Sequence, residues 1–247
     1  MNKSIFLIGT RWFGILGPTK EIIEKLVSED YDVYVFGQKD NRYHRYFFKN
    51  CKLININMKR SYKSFLYDIF DIFKIIYFII KLKPKAIHSF NPKPAFIAFF
   101  SLLFFPKIKF FVGITGLGNT FIRAKKMEFI ISRIFRLVAK RSNFIFFQNL
   151  DDIEMFKTKK IGNSKKYKLF IGPGVDLKIF TLGKSKNKEN NLIRVLCVSR
   201  LIWQKGIKEF CESAKILLKK YKNLEFLLIG EFDYVHPDRV YKKDLKK

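Results

Sequence analysis

The chain has 247 residues, enough for one large domain or two modest ones, and 48% of them are hydrophobic, which excludes wholesale disorder. Lys and Arg number 49 against 21 Asp and Glu, and the formal charge of +28 favours an anionic partner: nucleic acid, an acidic membrane surface or a phosphorylated substrate. Phe, Ile, Lys, Asn and Tyr are over-used together, as an AT-rich coding sequence produces, so part of the charge excess carries no functional meaning.

Residues 1–9 are too brief for a signal peptide and read as a first strand. From there short apolar runs alternate with longer helical patterns. Strands are predicted at 4–8, 32–36, 52–56, 86–89, 109–114, 143–147 and 168–171, and helices at 19–28, 64–82, 93–104, 125–140 and 151–160. Runs such as Phe144 to Phe147 are apolar without alternation, as strands buried on both faces are. The expected fold class is therefore α/β, with a parallel sheet covered on both sides and ligands held beyond the carboxyl ends of the strands.

The segment 64–82 is apolar on average but broken by Asp68, Asp71, Lys74 and Lys81. That spacing leaves Phe65, Ile69, Ile72, Phe73, Ile76 and Ile80 on one broad face, which suits a buried helix. Residues 95–105 fall short of the roughly 20 residues a spanning helix needs, so no membrane span is expected. The helix 125–140 is expected to set Lys125, Lys126, Arg133, Arg136, Lys140 and Arg141 opposite Phe129, Ile130, Ile134 and Leu137; its charged side suits solvent or acidic headgroups. Asp151 and Asp152 are expected to cap a helix start.

Residues 183–191 are polar throughout and read as a linker, after which a second βαβ pattern follows: strand 193–198, helix 205–220, strand 224–229. The expected organisation is a first domain at 1–182 and a partial second domain at 192–247. One βαβ unit exposes sheet edges and buries little core, so the second domain is expected to be incomplete. Cys51, Cys197 and Cys211 form neither a zinc pattern nor a disulfide framework, which suits a reducing cytosol; Cys197 and Cys211 fall within apolar patterns.

The chemistry-bearing residues lie in loops after strands. Gly9 to Pro18 carries Gly14 and Gly17, which allow close backbone approach to a ligand; a wide turn fits equally. It lacks the dinucleotide spacing, and Phe36 and Gly37 stand where a ribose-binding acid belongs, so a nicotinamide cofactor is disfavoured. His88 ends a strand, and Lys93 stands at a Pro-framed helix start; the pair suits a phosphate or a sugar hydroxyl, while a histidine hydrogen-bonded within the fold is the competing reading. Thr115-Gly116-Leu117-Gly118-Asn119-Thr120 suits hydrogen bonding to a polar ligand. Gly172-Pro173-Gly174-Val175-Asp176 precedes the linker and suits the floor of a cleft between domains. Arg200 and Lys205 stand at the mouth of a strand–loop–helix unit, where two cations and backbone N–H groups hold a diphosphate.

With these motifs placed, the chain resembles the family 4 retaining glycosyltransferases, whose two facing Rossmann-like domains make the GT-B fold. The match is Gly172-Pro173-Gly174-Val175-Asp176 followed by Phe180, then the linker, then Arg200 and Lys205-Gly206. His88, Pro92-Lys93-Pro94 and Thr115-Gly116-Leu117-Gly118 look closest to members acting on polyprenyl-diphosphate-linked sugars in O-antigen, capsule or glycoprotein glycan synthesis. The resemblance implies a nucleotide-sugar donor, UDP-linked, a lipid-linked saccharide acceptor, and peripheral attachment to the acidic inner face of the plasma membrane. It implies no cofactor, no metal and no nucleic-acid partner. By it, Arg200, Lys205 and Gly174 bind the donor diphosphate, and Gly14, Gly17, His88, Lys93, Thr115 and Asn119 face the acceptor. Thr115 stands where many members carry a histidine, and the family's paired glutamates are not found, so no catalytic residue is assigned. A non-catalytic remnant of such an enzyme and a basic nucleic-acid-binding protein are the alternatives.

Overall fold

The computed structural model describes residues 3–39, 51–58, 65–117, 128–178, 180–181, 192–233, 236 and 238–245. The chain forms two compact units, Met1–Asp176 and Leu177–Lys247. The expected linker at 183–191 lies outside the described residues.

The first unit is built on β1 (Ser4–Arg11), β2 (Asp32–Gln38), β3 (Cys51–Asn55), β4 (Ala86–Phe90), β5 (Lys109–Ile114), β6 (Phe144–Phe147) and β7 (Tyr167–Leu169). They form one seven-stranded sheet in the order β3-β2-β1-β4-β5-β6-β7, and every pairing is parallel. After β1 the chain builds outward to β3, then returns to place β4 on the other side of β1. The strand order thus reverses between β1 and β4, which opens a crevice at their carboxyl ends.

Alternation along the strands divides the sheet's faces. Phe6, Ile8, Ile87, Phe110, Val112, Ile145 and Phe147 point into the larger core. Over it lie α3 (Phe65–Leu82), α4 (Pro92–Ser101), α5 (Glu128–Arg141) and α6 (Leu150–Thr158). On the other face α1 (Trp12–Leu16) and α2 (Lys20–Ser28) cover Leu7, Val33 and Val35. The larger core is aromatic: Phe156 meets Phe147 at 4.9 Å and Phe135 at 5.3 Å between ring centres, and Phe6 meets Phe36 at 4.8 Å.

The helices differ from expectation in rotation more than in position. α3 buries Asp71, Ile75 and Ile79, whereas Phe73 and Ile80, expected inside, are exposed. Asp71 is tolerated because its carboxylate accepts the Asn57 N–H at 2.8 Å; burial still pushes its pKa up. α5 buries Ile131, Phe135 and Val138, leaving Phe129, Ile130 and Leu137 exposed beside Arg133 rather than opposite it. Apolar residues on both sides of each helix make the alternative rotations nearly equivalent in sequence.

Much of the basic charge on α5 has a structural task. Arg141 donates to the Phe105 and Ile108 carbonyls at 3.0 and 2.8 Å, and Arg136 to the Lys159 carbonyl at 3.0 Å. Lys166 closes the carboxyl end of α5 through the carbonyls of Ala139, Lys140 and Ser142. Asn149, not Asp151 or Asp152, caps α6, accepting the Asp152 N–H at 2.8 Å, while both aspartates fall in the first turn.

The second unit contains β8 (Ile193–Val198), α7 (Ile207–Lys220) and β9 (Leu224–Ile229). β8 and β9 pair in parallel as a two-stranded sheet. Its core is small, with Leu201, Ile207 and Val240 buried and Cys197 and Cys211 packed against them, while Leu196, Val198 and Ile229 stay exposed. Gly230 is required for a different reason: a Cβ there would sit 1.7 Å from the Ser199 carbonyl oxygen.

Candidate functional site

At the carboxyl ends of β4, β5 and β6 the first unit holds a cavity of about 520 Å3. Strand register builds it. His88 pairs with Phe111, and Phe90 with Gly113, which in turn pairs with Phe146. These side chains share one face, and Pro18, Thr19 and Ile22 from the start of α2 close the side. Phe170 and Pro173 complete the wall, and Asn91, Thr115 and Gln148 supply polar groups at the strand ends.

His88 sits among aromatic rings, 4.3 Å from Phe90 and 5.7 Å from Phe146 between ring centres. Its Nε2 is out of contact with solvent and has no hydrogen-bond partner among the described residues. Gly113 makes this packing possible, since a Cβ there would lie 3.3 Å from both Nε2 and the Phe90 ring. Burial pushes the imidazole pKa from 6.5 down to about 4, so the ring is neutral at pH 7. A neutral imidazole offers one donor and one acceptor, and an orphaned ring nitrogen costs about 1–3 kcal/mol until a ligand engages it.

The shift sets a pH dependence. The unfolded histidine takes up its proton near pH 6.5 and the folded one only near 4, so the unfolded state binds more protons in between. Stability is full above pH 6.5 and falls as pH drops through that window, by about 1–2 kcal/mol at pH 5 allowing for partial solvent access. Urea midpoints at pH 7 and pH 5 for the wild type and His88→Gln check this. The wild type should lose more than the variant; equal losses would contradict the burial of His88.

Asn91 closes β4 with φ 76 and ψ 163, a region that favours glycine. It is pinned there: its N–H donates to the Gly113 carbonyl at 2.7 Å, its carbonyl accepts from Ala95, and the Thr115 hydroxyl donates to its side-chain oxygen. Such a backbone costs on the order of 1–3 kcal/mol. Both Asn91→Gly and Asn91→Ala remove the amide, but only glycine relieves the backbone. The glycine variant should therefore be the more stable by about 1–2 kcal/mol in urea unfolding. An alanine variant of equal stability would contradict the strain.

The loop after β5 is held from below by Asp152, which accepts the Leu117 N–H at 3.4 Å and the Asn149 side-chain N–H at 2.9 Å. Of the expected acceptor-side residues, Gly14, His88 and Thr115 thus meet around the cavity. Gly17 follows α1 and is not in its wall. Lys93 is turned to Asp68 on α3 at 2.8 Å, an ion pair with both partners mostly buried. Asn119 lies outside the described residues. The glycine-containing loop holds a short helix, α1, because Trp12, Ile15 and Leu16 are buried together against the sheet. Asn91, Gln148 and Thr19 were missed by sequence reasoning. The Asn-Pro step at the end of β4 was the one available signal, since Pro92 bars Asn91 from the helical region.

In the second unit, Arg200 follows β8 and donates from Nη1 to Asp233 Oδ2 at 3.0 Å, with about half its side chain exposed. Exposed pairs of this kind are worth about 0–1 kcal/mol, so an incoming phosphate can compete for the guanidinium. Lys205 ends a 3-10 turn, Trp203–Lys205, and Gly206, with φ 74, joins that turn to α7. The turn is tied down by Asp238, which accepts the Gln204 N–H at 3.0 Å. Gly174, with φ 73, belongs to the end of the first unit.

Among the described residues the cavity's lining contains no carboxylate, and its polar groups are neutral. Aromatic faces and neutral donors and acceptors suit a polyhydroxylated or amide-bearing ligand better than an ion. A parallel sheet with this order and a cavity at its switch point is a Rossmann-like domain, and structures sharing the fold are GT-B enzymes. Sucrose-phosphate synthase from Thermosynechococcus elongatus aligns with a TM-score of 0.74 at 15% identity, over 99% of this chain and 66% of that one. A lipopolysaccharide outer core galactosyltransferase in its apo form aligns with a TM-score of 0.61 at 10% identity, over 91% and 68%. Residues 16–149 match the glycosyl transferase 4-like family, and the chain belongs to it. The N,N'-diacetylbacillosaminyl-diphospho-undecaprenol alpha-1,3-N-acetylgalactosaminyltransferase of Campylobacter jejuni is 28% identical over 138 residues, covering 50% of this chain and 35% of that protein. The chain therefore spans about a third of that relative's length.

Proposed function

We propose that this protein transfers a sugar from a UDP-sugar to a saccharide carried on a polyprenyl diphosphate, with retention at the anomeric carbon, on the inner face of the plasma membrane. The observation that carries this reading is the cavity walled by aromatic rings and centred on a neutral His88, whose Nε2 has no hydrogen-bond partner among the described residues, in a chain of the glycosyl transferase 4-like family. The relative from Campylobacter jejuni, whose name places its saccharide on undecaprenol diphosphate, supports the acceptor class.

In the reaction, the bond between the donor's anomeric carbon and its diphosphate oxygen breaks, and a bond to the acceptor hydroxyl oxygen forms. The acceptor's proton leaves to the departing diphosphate. Negative charge grows on that diphosphate, and Arg200 and Lys205 stabilise it. The Asp233 contact is solvent-screened and weak, so the diphosphate can take the guanidinium from it. His88, Asn91 and Thr115 orient the acceptor sugar by neutral hydrogen bonds, while Phe90 and Phe146 pack against its apolar face. Gly174 allows the backbone to approach the donor.

Nucleotide binding tests the donor class. UDP at a hundredfold excess over its Kd should stabilise the protein by about 2.7 kcal/mol, read as a raised unfolding midpoint. No shift with UDP, or an equal shift with sulfate at matched ionic strength, would overturn the assignment.

A further inference from the structure

The outer surface of the helical layer is apolar where a solvated face is the rule. Along α3, Leu66, Phe70, Phe73, Tyr77 and Ile80 recur at steps of three and four and all point away from the core; Leu66 is 71% exposed and Phe70 68%. α4 packs between α3 and α5, and just beyond its end Phe104 is 82% exposed. On α5, Phe129 and Ile130 continue the same outer surface. Scattered exposed apolar residues need no explanation, but a surface running across adjacent helices does.

The charges on this surface have one sign. Lys81 lies over the Tyr77 ring of the α3 stripe at 5.7 Å from its centre, Lys107 follows Phe104, and Arg133 stacks on Phe129 at 4.5 Å from the ring centre. The acidic residues of these helices are withdrawn from it: Asp68 is paired with Lys93, Asp71 is buried, and Glu128 is paired with Lys159. A second copy of the chain docked through this face would bring lysine against lysine. An anionic bilayer instead takes the aromatic side chains at its interface and the lysines among its headgroups.

We infer that the outer face of α3, α4 and α5 is the surface by which this protein lies on an anionic lipid bilayer. The inference deepens the reading of a lipid-linked acceptor, since a sheet-end cavity held at the membrane meets an acceptor that cannot leave it. Its test does not depend on that reading, because vesicles without any saccharide acceptor serve as the probe.

The experiment is co-sedimentation of the full chain with vesicles of equal parts phosphatidylethanolamine and phosphatidylglycerol, and with vesicles of phosphatidylcholine alone. The wild type should bind the anionic vesicles and not the neutral ones. The double variant Phe70→Ser with Phe73→Ser, and separately Lys81→Glu with Lys107→Glu, should each weaken binding by about tenfold or more with an unchanged unfolding midpoint. Wild-type affinity in both variants would overturn the inference. So would equal binding to neutral vesicles, or a solution dimer that the Phe70 and Phe73 changes dissolve.

Discussion

Arg200→Ala is expected to lower sugar transfer by about 10²–10³-fold, with Lys205→Ala close behind, because in the proposed reaction each removes a positive charge from where negative charge grows on the leaving diphosphate. The loss should fall mainly on kcat, since an interaction stronger in the transition state than in the ground state accelerates chemistry more than it tightens binding. Stability should change little: Arg200 is half-exposed, and its pairing with Asp233 is of the weak, solvent-screened kind. Steady-state kinetics with the nucleotide sugar varied, beside urea unfolding of the same variants, separates the effects. Unchanged turnover in both variants would remove the cations from the proposed donor site. A Lys at position 200 should restore only part of the rate, because it keeps the charge but not the planar fork that engages two phosphate oxygens.

The largest stability effect is expected at Phe156→Ala, about 3–5 kcal/mol, out of the 5–15 kcal/mol that holds most domains together. Phe156 is wholly buried where α6 crosses β6 and β7, with Phe147, Phe135 and Tyr167 around its ring. Truncation leaves a cavity that flat rings do not collapse to fill, and it forfeits the edge-to-face contacts as well. β6 leads directly into Gln148 and Asn149, so the loss should loosen the cavity wall and the cap of α6 together. Phe104→Ser is the matched control: its ring is exposed, and its unfolding midpoint should move by no more than about 0.5 kcal/mol. Equal urea midpoints for the two variants would contradict the placement of the core.

The element order could be read from the chain because the strands are short apolar runs and the glycines and prolines between them mark the turns; β1 and β2 are buried on both faces as such runs suggest, whereas β6 alternates and leaves Phe144 exposed. Helix rotation could not be read. With 29 phenylalanines in 247 residues, apolar side chains stand on both sides of α3 and α5, and the periodicity that reveals a helix then says nothing of which side faces inward. Asp71, taken in sequence as a break in an apolar run, is a buried group satisfied by the Asn57 backbone N–H. Phe73 and Ile80, taken as core, are the exposed stripe.

The candidate site was legible to a similar degree. His88 and Thr115 drew notice because polar residues at strand ends in an α/β pattern stand where ligands bind, and both line the cavity. Lys93 drew notice for the same reason, yet its charge is spent on Asp68, a partner some two dozen positions earlier that no local pattern announces. Gln148 and the unusual backbone of Asn91 depend on the pairing of β4, β5 and β6, which only the folded sheet supplies.

The proposed transfer of a sugar from UDP to a lipid-borne saccharide can be followed by incubating the protein with a labelled UDP-N-acetylhexosamine and a short-chain polyprenyl diphosphate carrying an N-acetylated sugar. Label should appear in the lipid phase, with an acceptor heavier by one sugar residue and one UDP released per transfer, and all three should fall about 10²–10³-fold in Arg200→Ala. A protein that binds UDP but transfers no sugar from any of the common UDP-sugars to any polyprenyl-diphosphate saccharide would contradict it.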